Sequence, residues 1–221
     1  MNHQKSILLV LLFITSLALR AQEDEEEFIL FNDRSNVVHG VYFGFNFGYG
    51  SINGEDTYLG GLKFAYVANR QLEIGFAGKL LYSAQDVFNP ASRGNDDLVG
   101  GYGGLHIEPI LFGKSAVSLS FPILIVAGGV GYVDREVVRN EEDIDLDDDD
   151  VAALFVLEPG VSALFNINRF VQLETGVKYR FSSKINLVDS PVDRINGFSA
   201  EIGVKLGIFN MGRNRYKKQL N

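Results

Sequence analysis

The sequence has 221 residues, a formal net charge of −8 and a pI near 4.9, with 24 glycines, no cysteine and no tryptophan. Such an acidic chain lacks the cationic face that nucleic acid or an anionic membrane surface requires, so neither is expected as a partner. Without cysteine there is no disulfide framework, no thiolate metal site and no lipid-modified cysteine behind a leader.

The chain begins "MNHQKSILLVLLFITSLALRAQ", with Lys5, an apolar run from Ile7 to Leu19, and the small residue Ala21 at a cleavage point. Residues 1–21 therefore read as a secretory signal peptide. The apolar run falls short of the roughly 20 residues a spanning helix needs, and no later run reaches that length. Residues 22–38 form a polar, acidic segment opening with "EDEEE". It is expected in the periplasm.

From residue 39 to 209 the sequence alternates with a period of two, the signature of strands with one apolar face. Eight such segments follow one another: Gly40 to Gly50, Thr57 to Val67, Gln71 to Tyr82, Val99 to Leu111, Ala116 to Val126, Val151 to Ile167, Phe170 to Phe181, and Phe198 to Phe209. Most exceed the usual strand length of about five or six residues and match the about 9–11 of a tilted membrane-spanning strand. Short links "ANR", "FGKS" and "NIN" alternate with longer polar links at Ser51 to Asp56, Ser83 to Leu98, Asp134 to Asp150 and Ser182 to Gly197. Short turns at one end and long loops at the other predict an all-β fold, an eight-stranded antiparallel up-and-down transmembrane β-barrel. Residues 210–221 trail behind it as a C-terminal tail.

The two faces differ in chemistry. In "GVYFGFNFGYG", Val41, Phe43, Phe45, Phe47 and Tyr49 share one side, while glycine and asparagine, Tyr42 apart, hold the other. Later strands repeat the apolar row, and their opposite face carries glycine with isolated charges: Lys63, Glu73, Lys79, Glu108, Glu158, Glu174, Lys178, Arg180, Glu201 and Lys205. A water-facing surface carries dense charge rather than glycine, so the apolar rows are assigned to lipid and the charged face to the lumen. Tyr49, Tyr58, Tyr82 and Tyr179 then fall near the loop end, with Tyr66 and Phe165 near the turn end, where interfacial girdles lie.

The lumen charges are expected to form a buried, structural ion network. Because opposite residues of an antiparallel pair have a constant index sum, Lys178 facing Glu201 implies Glu174 facing Lys205. Tight turns likewise predict Glu158 opposite Lys178 and Lys63 opposite Glu73. Pro109, Pro122 and Pro159 lie inside strands, where a missing N–H predicts bulges or bound water.

Catalytic chemistry is sparse. His106 and Glu108 share the lumen face, with Ser118 and Ser120 on the next strand, which is the composition of a Ser-His-Glu hydrolase, but shared parity alone does not show contact and a structural polar core is the preferred reading. The acidic run "EEDIDLDDDD", Glu141 to Asp150, lacks the glycine and glutamate of a calcium-binding EF-hand loop, and reads as solvated loop, with divalent bridging to lipopolysaccharide phosphates as the alternative. "GGYGG", Gly100 to Gly104, lacks the lysine of a phosphate loop and suits close backbone packing. No cofactor, metal site or catalytic residue is expected.

The stretches "GVYFGFNFGYG", "GGLHIEPI", "FVLEPGV" and "LETGVKYRF" resemble the small outer-membrane β-barrels of Gram-negative bacteria, such as the transmembrane domains of the OmpA, OmpX and OmpW types. The last strand, "SAEIGVKLGIF", is similar to the C-terminal assembly signal of those proteins. The resemblance implies an outer-membrane location, contact with lipid and lipopolysaccharide, and insertion by the barrel-assembly machinery. It also implies a monomeric, non-enzymatic protein with a structural or surface-interaction role, whose loops could hold an extracellular ligand of unknown identity. A narrow pore or hydrophobic-solute conduit, an outer-membrane lipid hydrolase and a soluble periplasmic ligand-binding barrel are the alternatives.

Overall fold

The computed structural model describes residues 38–89, 94–134, 151–185 and 190–211. The expected signal peptide, most of the expected acidic segment, the run Glu141 to Asp150 and residues 212–221 lie outside the described residues. The strands are β1 (His39–Ile52), β2 (Glu55–Ala68), β3 (Leu72–Asn89), β4 (Gly94–Leu111), β5 (Val117–Ser120), β6 (Ile123–Asp134), β7 (Val151–Asn166), β8 (Val171–Ser182) and β9 (Gly197–Met211).

All pairings are antiparallel, and β5 and β6 succeed one another along a single crossing between β4 and β7. β1 pairs with both β2 and β9, which closes the sheet. The nine strands thus make the eight-stranded up-and-down barrel that the alternation predicts. Among the described residues closure leaves no free sheet edge, as a spanning sheet requires.

Burial alternates residue by residue along β1, where Tyr42 and Asn46 are buried while Phe43, Phe45 and Phe47 project outward. Phe47, Phe76 and Leu80 are 70%, 68% and 72% exposed, a degree of apolar exposure that only a lipid solvent accommodates over a whole surface. Tyr49, Tyr58 and Tyr82 stand beside one another on β1, β2 and β3, with ring centroids 5.6 and 6.5 Å apart, and Tyr179 packs against Phe181 and Phe198. These clusters form an aromatic girdle at the loop end.

Three sequence expectations need correction. The link Ser51 to Asp56 is a two-residue hairpin, because Asn53 and Gly54 adopt positive φ of 54° and 92° and let β1 and β2 run on to Ile52 and Glu55. Asn-Gly favours this turn, since its twist matches that of the flanking strands. A Cβ at Gly54 would meet nothing within 4 Å, so only the backbone opposes a side chain there. Gly54→Val should therefore cost about 1–2 kcal/mol, read as a lowered urea midpoint for the folded barrel in lipid vesicles.

The second correction concerns the ends of β3 and β4. Each extends beyond its expected limit at Tyr82 or Val99, and the register shifts between Ser83 and Val87, where Asp86 has a φ of 50°. A second shift lies between His39 and Val41, where β1 meets β9, so neither irregularity falls at a proline.

The prolines themselves leave the register unchanged, which is the third correction. Pro109 of β4 accepts from the Phe121 N–H at 2.9 Å, and Pro122, between β5 and β6, accepts from the Gly160 N–H at 2.8 Å. Pro159 stands opposite Ile123. The prolines thus gather at one height on neighbouring strands, and the lost donors interrupt one crossing instead of bulging several. The Pro109 and Pro122 carbonyls continue to accept, which keeps these strands aligned.

Candidate functional site

The barrel interior is layered, and the strands set the layers. Inward positions near the long-loop ends are apolar, those at mid-height are charged, and those near the short turns surround a cavity lined by polar and apolar side chains together.

The charged layer contains Lys63, Glu73, Lys79, Glu108, Glu158, Glu174, Lys178, Arg180, Glu201 and Lys205, all of them buried. Five are cationic and five anionic, so their formal charges cancel. Lys63 Nζ is 2.7 Å from Glu174, and Lys178 Nζ is 2.6 Å from Glu201 and 3.8 Å from Glu174. Lys79 bridges Glu158 and Glu201. Lys205 Nζ lies 2.8 Å from Glu73, 3.1 Å from Glu108 and 3.6 Å from Glu174. Nine of the ten residues therefore form one connected ion chain. Arg180 departs from it and donates through Nε to the Ile195 carbonyl at 2.7 Å.

The pairings expected from register are mostly replaced. β8 and β9 are offset so that Lys178 faces Ser199 and Lys205 faces Gln172, which makes the Lys178–Glu201 and Lys205–Glu174 contacts diagonal. Lys63 faces Ala77 rather than Glu73, and Lys178 faces Gly160 rather than Glu158. Lys63 reaches across the lumen from β2 to β8, and Lys79 from β3 to β7. A long ammonium side chain can span this narrow interior, and index arithmetic between sequence neighbours does not see that route.

Several residues join the layer without having been singled out for it. Tyr42 donates to Glu73 at 2.6 Å, Tyr102 to Glu158 at 3.1 Å, and Asn46 to Glu201 at 2.9 Å. Tyr42 was legible as the one bulky residue on the small-residue face of "GVYFGFNFGYG". A Cβ at Gly207 would strike the Val41 carbonyl oxygen and the Tyr42 Cα, so that glycine lets β9 approach β1 closely, while a Cβ at Gly44 would lie 3.3 Å from the Tyr42 ring.

His106 Nε2 lies 3.0 Å from Glu108 and 4.0 Å from Glu73. The ligand atoms of Glu73, His106 and Glu108 fall within 4.8 Å of one another, a spacing that could hold a metal ion. The Lys205 ammonium, however, already compensates both carboxylates. Ser118 donates to the Phe112 carbonyl at 3.0 Å and Ser120 to the Ser162 carbonyl at 3.4 Å. The serines thus belong to a different hydrogen-bond set from the His106–Glu108 pair.

Above the ions, the link Ser182 to Gly197 differs from the polar external loop expected. Its residues Ile185, Val192 and Ile195 are buried in one apolar cluster with Ile52, Leu98, Val130 and Leu154. Ser182 holds this fold-back: its N–H donates to Asn196 Oδ1 at 2.7 Å, and its Oγ accepts from the Ile195 N–H at 2.9 Å. Arg194 donates to the Ser182 carbonyl at 2.6 Å. The result is an apolar stopper in the loop-end mouth, and its signal was the recurrence of apolar residues, Ile185, Leu187, Val188, Val192 and Ile195, along the stretch.

No protein family and no curated protein matches the sequence. Among solved structures, the chain is similar to Neisserial surface protein A, with a TM-score of 0.55 and 13% identity over 76% of this chain and 96% of that one. It also aligns with Ail, the attachment invasion locus protein of Yersinia pestis, in complex with the heparin analogue sucrose octasulfate. That alignment has a TM-score of 0.43 and 13% identity, over 78% of this chain and 99% of the other. With its closed antiparallel sheet and the apolar belt on its outer face, the protein is an eight-stranded β-barrel that shares the fold of Neisserial surface protein A.

Proposed function

We propose that the protein is a non-conducting, non-enzymatic barrel that presents its long-loop end at the cell surface for contact with an extracellular partner. The observation supporting this reading is the double closure of the lumen, by the ion chain and by the stopper of Ile185, Val192 and Ile195. An eight-strand barrel has room inside for side chains alone, and here they fill its middle. The ten charged lumen residues are then structural cross-braces, which stiffen the cylinder from which the loops project.

In this reading residues 1–21 are removed on export, and residues 22–38 and 210–221 face the periplasm, on the side of the short turns. Barrel-assembly machinery inserts residues 39–209, the apolar belt meets lipid and lipopolysaccharide, and the barrel acts as a monomer. In planar bilayers the purified protein should give no discrete conductance steps, and protease applied to intact cells should cut in the long loops alone. Reproducible single-channel steps from the native chain would favour the narrow-pore reading instead.

A further inference from the structure

We infer that the short-turn end of the lumen binds a small zwitterion, an amino acid or short peptide carrying both a carboxylate and an amine. A cavity of about 260 Å³ lies there, walled by the turns between β2 and β3, β4 and β5, and β7 and β8. Each turn contributes one cation to the wall: Arg70, Lys114 and Arg169. Close packing brings two of the turns together, since a Cβ on Gly113 would strike the Arg70 carbonyl.

The same wall includes Glu73 and Gln172, which are 0% and 6% exposed. Among the described residues, Arg70 Nε, Glu73 Oε1 and Gln172 Oε1 are buried and meet no hydrogen-bond partner. Glu73 uses its other oxygen for Lys205 and Tyr42, so the ion chain leaves Oε1 unengaged. Buried polar atoms are normally paired, and three unmet ones around a single cavity describe the ligand that would satisfy them.

One donor requires an acceptor and two acceptors require donors. A simple anion would satisfy Arg70 and the cationic turns but leave Glu73 and Gln172 unmet and face the Glu73 charge. A simple cation would do the reverse. A molecule with a carboxylate toward Arg70 and Arg169 and an ammonium toward Glu73 and Gln172 meets both demands with charge-assisted bonds. The volume is many times the roughly 30 Å³ share of one water and lies just below the about 300–1,000 Å³ of drug-sized pockets, which suits an amino acid or dipeptide.

The test is a titration of the full chain, refolded in lipid nanodiscs and followed by NMR, with glycylglycine as probe and acetate, methylammonium and inorganic phosphate as separate arms. Glycylglycine should shift the Gly113 amide and the Gln172 side-chain amide saturably, at least about tenfold more tightly than any single-charge arm. Gln172→Leu should weaken binding about tenfold, the loss of one charge-assisted bond. Arg169→Gln, on an exposed turn position, serves as the second variant should Gln172→Leu fail to fold, and should weaken the peptide and acetate arms alike. Absence of any saturable shift would mean that water alone fills the cavity and would overturn the proposal. Phosphate or acetate binding as tightly as glycylglycine would replace it with a plain anion site. The readout is independent of whether the loop end conducts, so this site and the proposed surface role fail separately.

Discussion

Replacing Lys205 by methionine should lower folding stability by about 3–5 kcal/mol, the usual cost of leaving buried charge uncompensated. Its ammonium touches Glu73 and Glu108 at 2.8 and 3.1 Å and Glu174 at 3.6 Å, and the first two residues are 0% exposed. Without the lysine, the layer holds five carboxylates against four cations, in a place where water cannot solvate the excess. The double variant Lys205→Met with Glu108→Gln should recover part of the loss, because it removes one charge of each sign. Urea unfolding in vesicles, read by heat-modifiable migration on gels, measures both. A single variant within about 1 kcal/mol of the native chain would show that the ion chain is not what braces the cylinder.

The second large effect belongs to the outside. Phe45 sits midway along β1, is 45% exposed, and faces Leu62 on β2 and Val204 on β9 in the apolar belt. Phe45→Arg should cost about 2–4 kcal/mol, the penalty of a cation at the bilayer midplane. Tyr58→Arg, in the tyrosine girdle at the loop end, should cost about 0–1 kcal/mol, since a side chain there reaches the headgroups. Folding titrations in vesicles of one composition compare the pair directly. Equal and small losses at both positions would mean that water wets the outer face, and the assignment of lipid to the Phe45 row would fall.

The tests divide along the two faces of the strands, and so did the legibility of the chain. The strand count, the lipid-facing rows at Phe43, Phe76 and Ile202, and the tyrosine girdle followed from period-two alternation, which is local and needs no partner strand. The tight turn at Asn53 and Gly54 was also local, since Asn-Gly is a hairpin signal, yet the polar residues around it suggested a longer loop.

The inner face was legible in composition and much less so in connection. That Lys63, Lys79, Glu158 and Glu174 share the lumen follows from parity, but that Lys63 meets Glu174 and Lys79 meets Glu158 does not. Those contacts join strands far apart in the meander, and they depend on barrel diameter and side-chain length. The prolines illustrate the same limit: each one alone suggests a bulge, whereas Pro109, Pro122 and Pro159 side by side share a single interruption.

By itself, the sequence determined which solvent meets each side of every strand, because successive side chains point to opposite faces whatever the strand pairs with. Tertiary structure decided what fills the interior: closing β1 onto β9 brought distant charges within bonding distance and turned Ile185, Val192 and Ile195 inward. It also gathered Arg70, Glu73 and Gln172 around one cavity. Closure is a property of the whole sheet, so no single segment carries its signal.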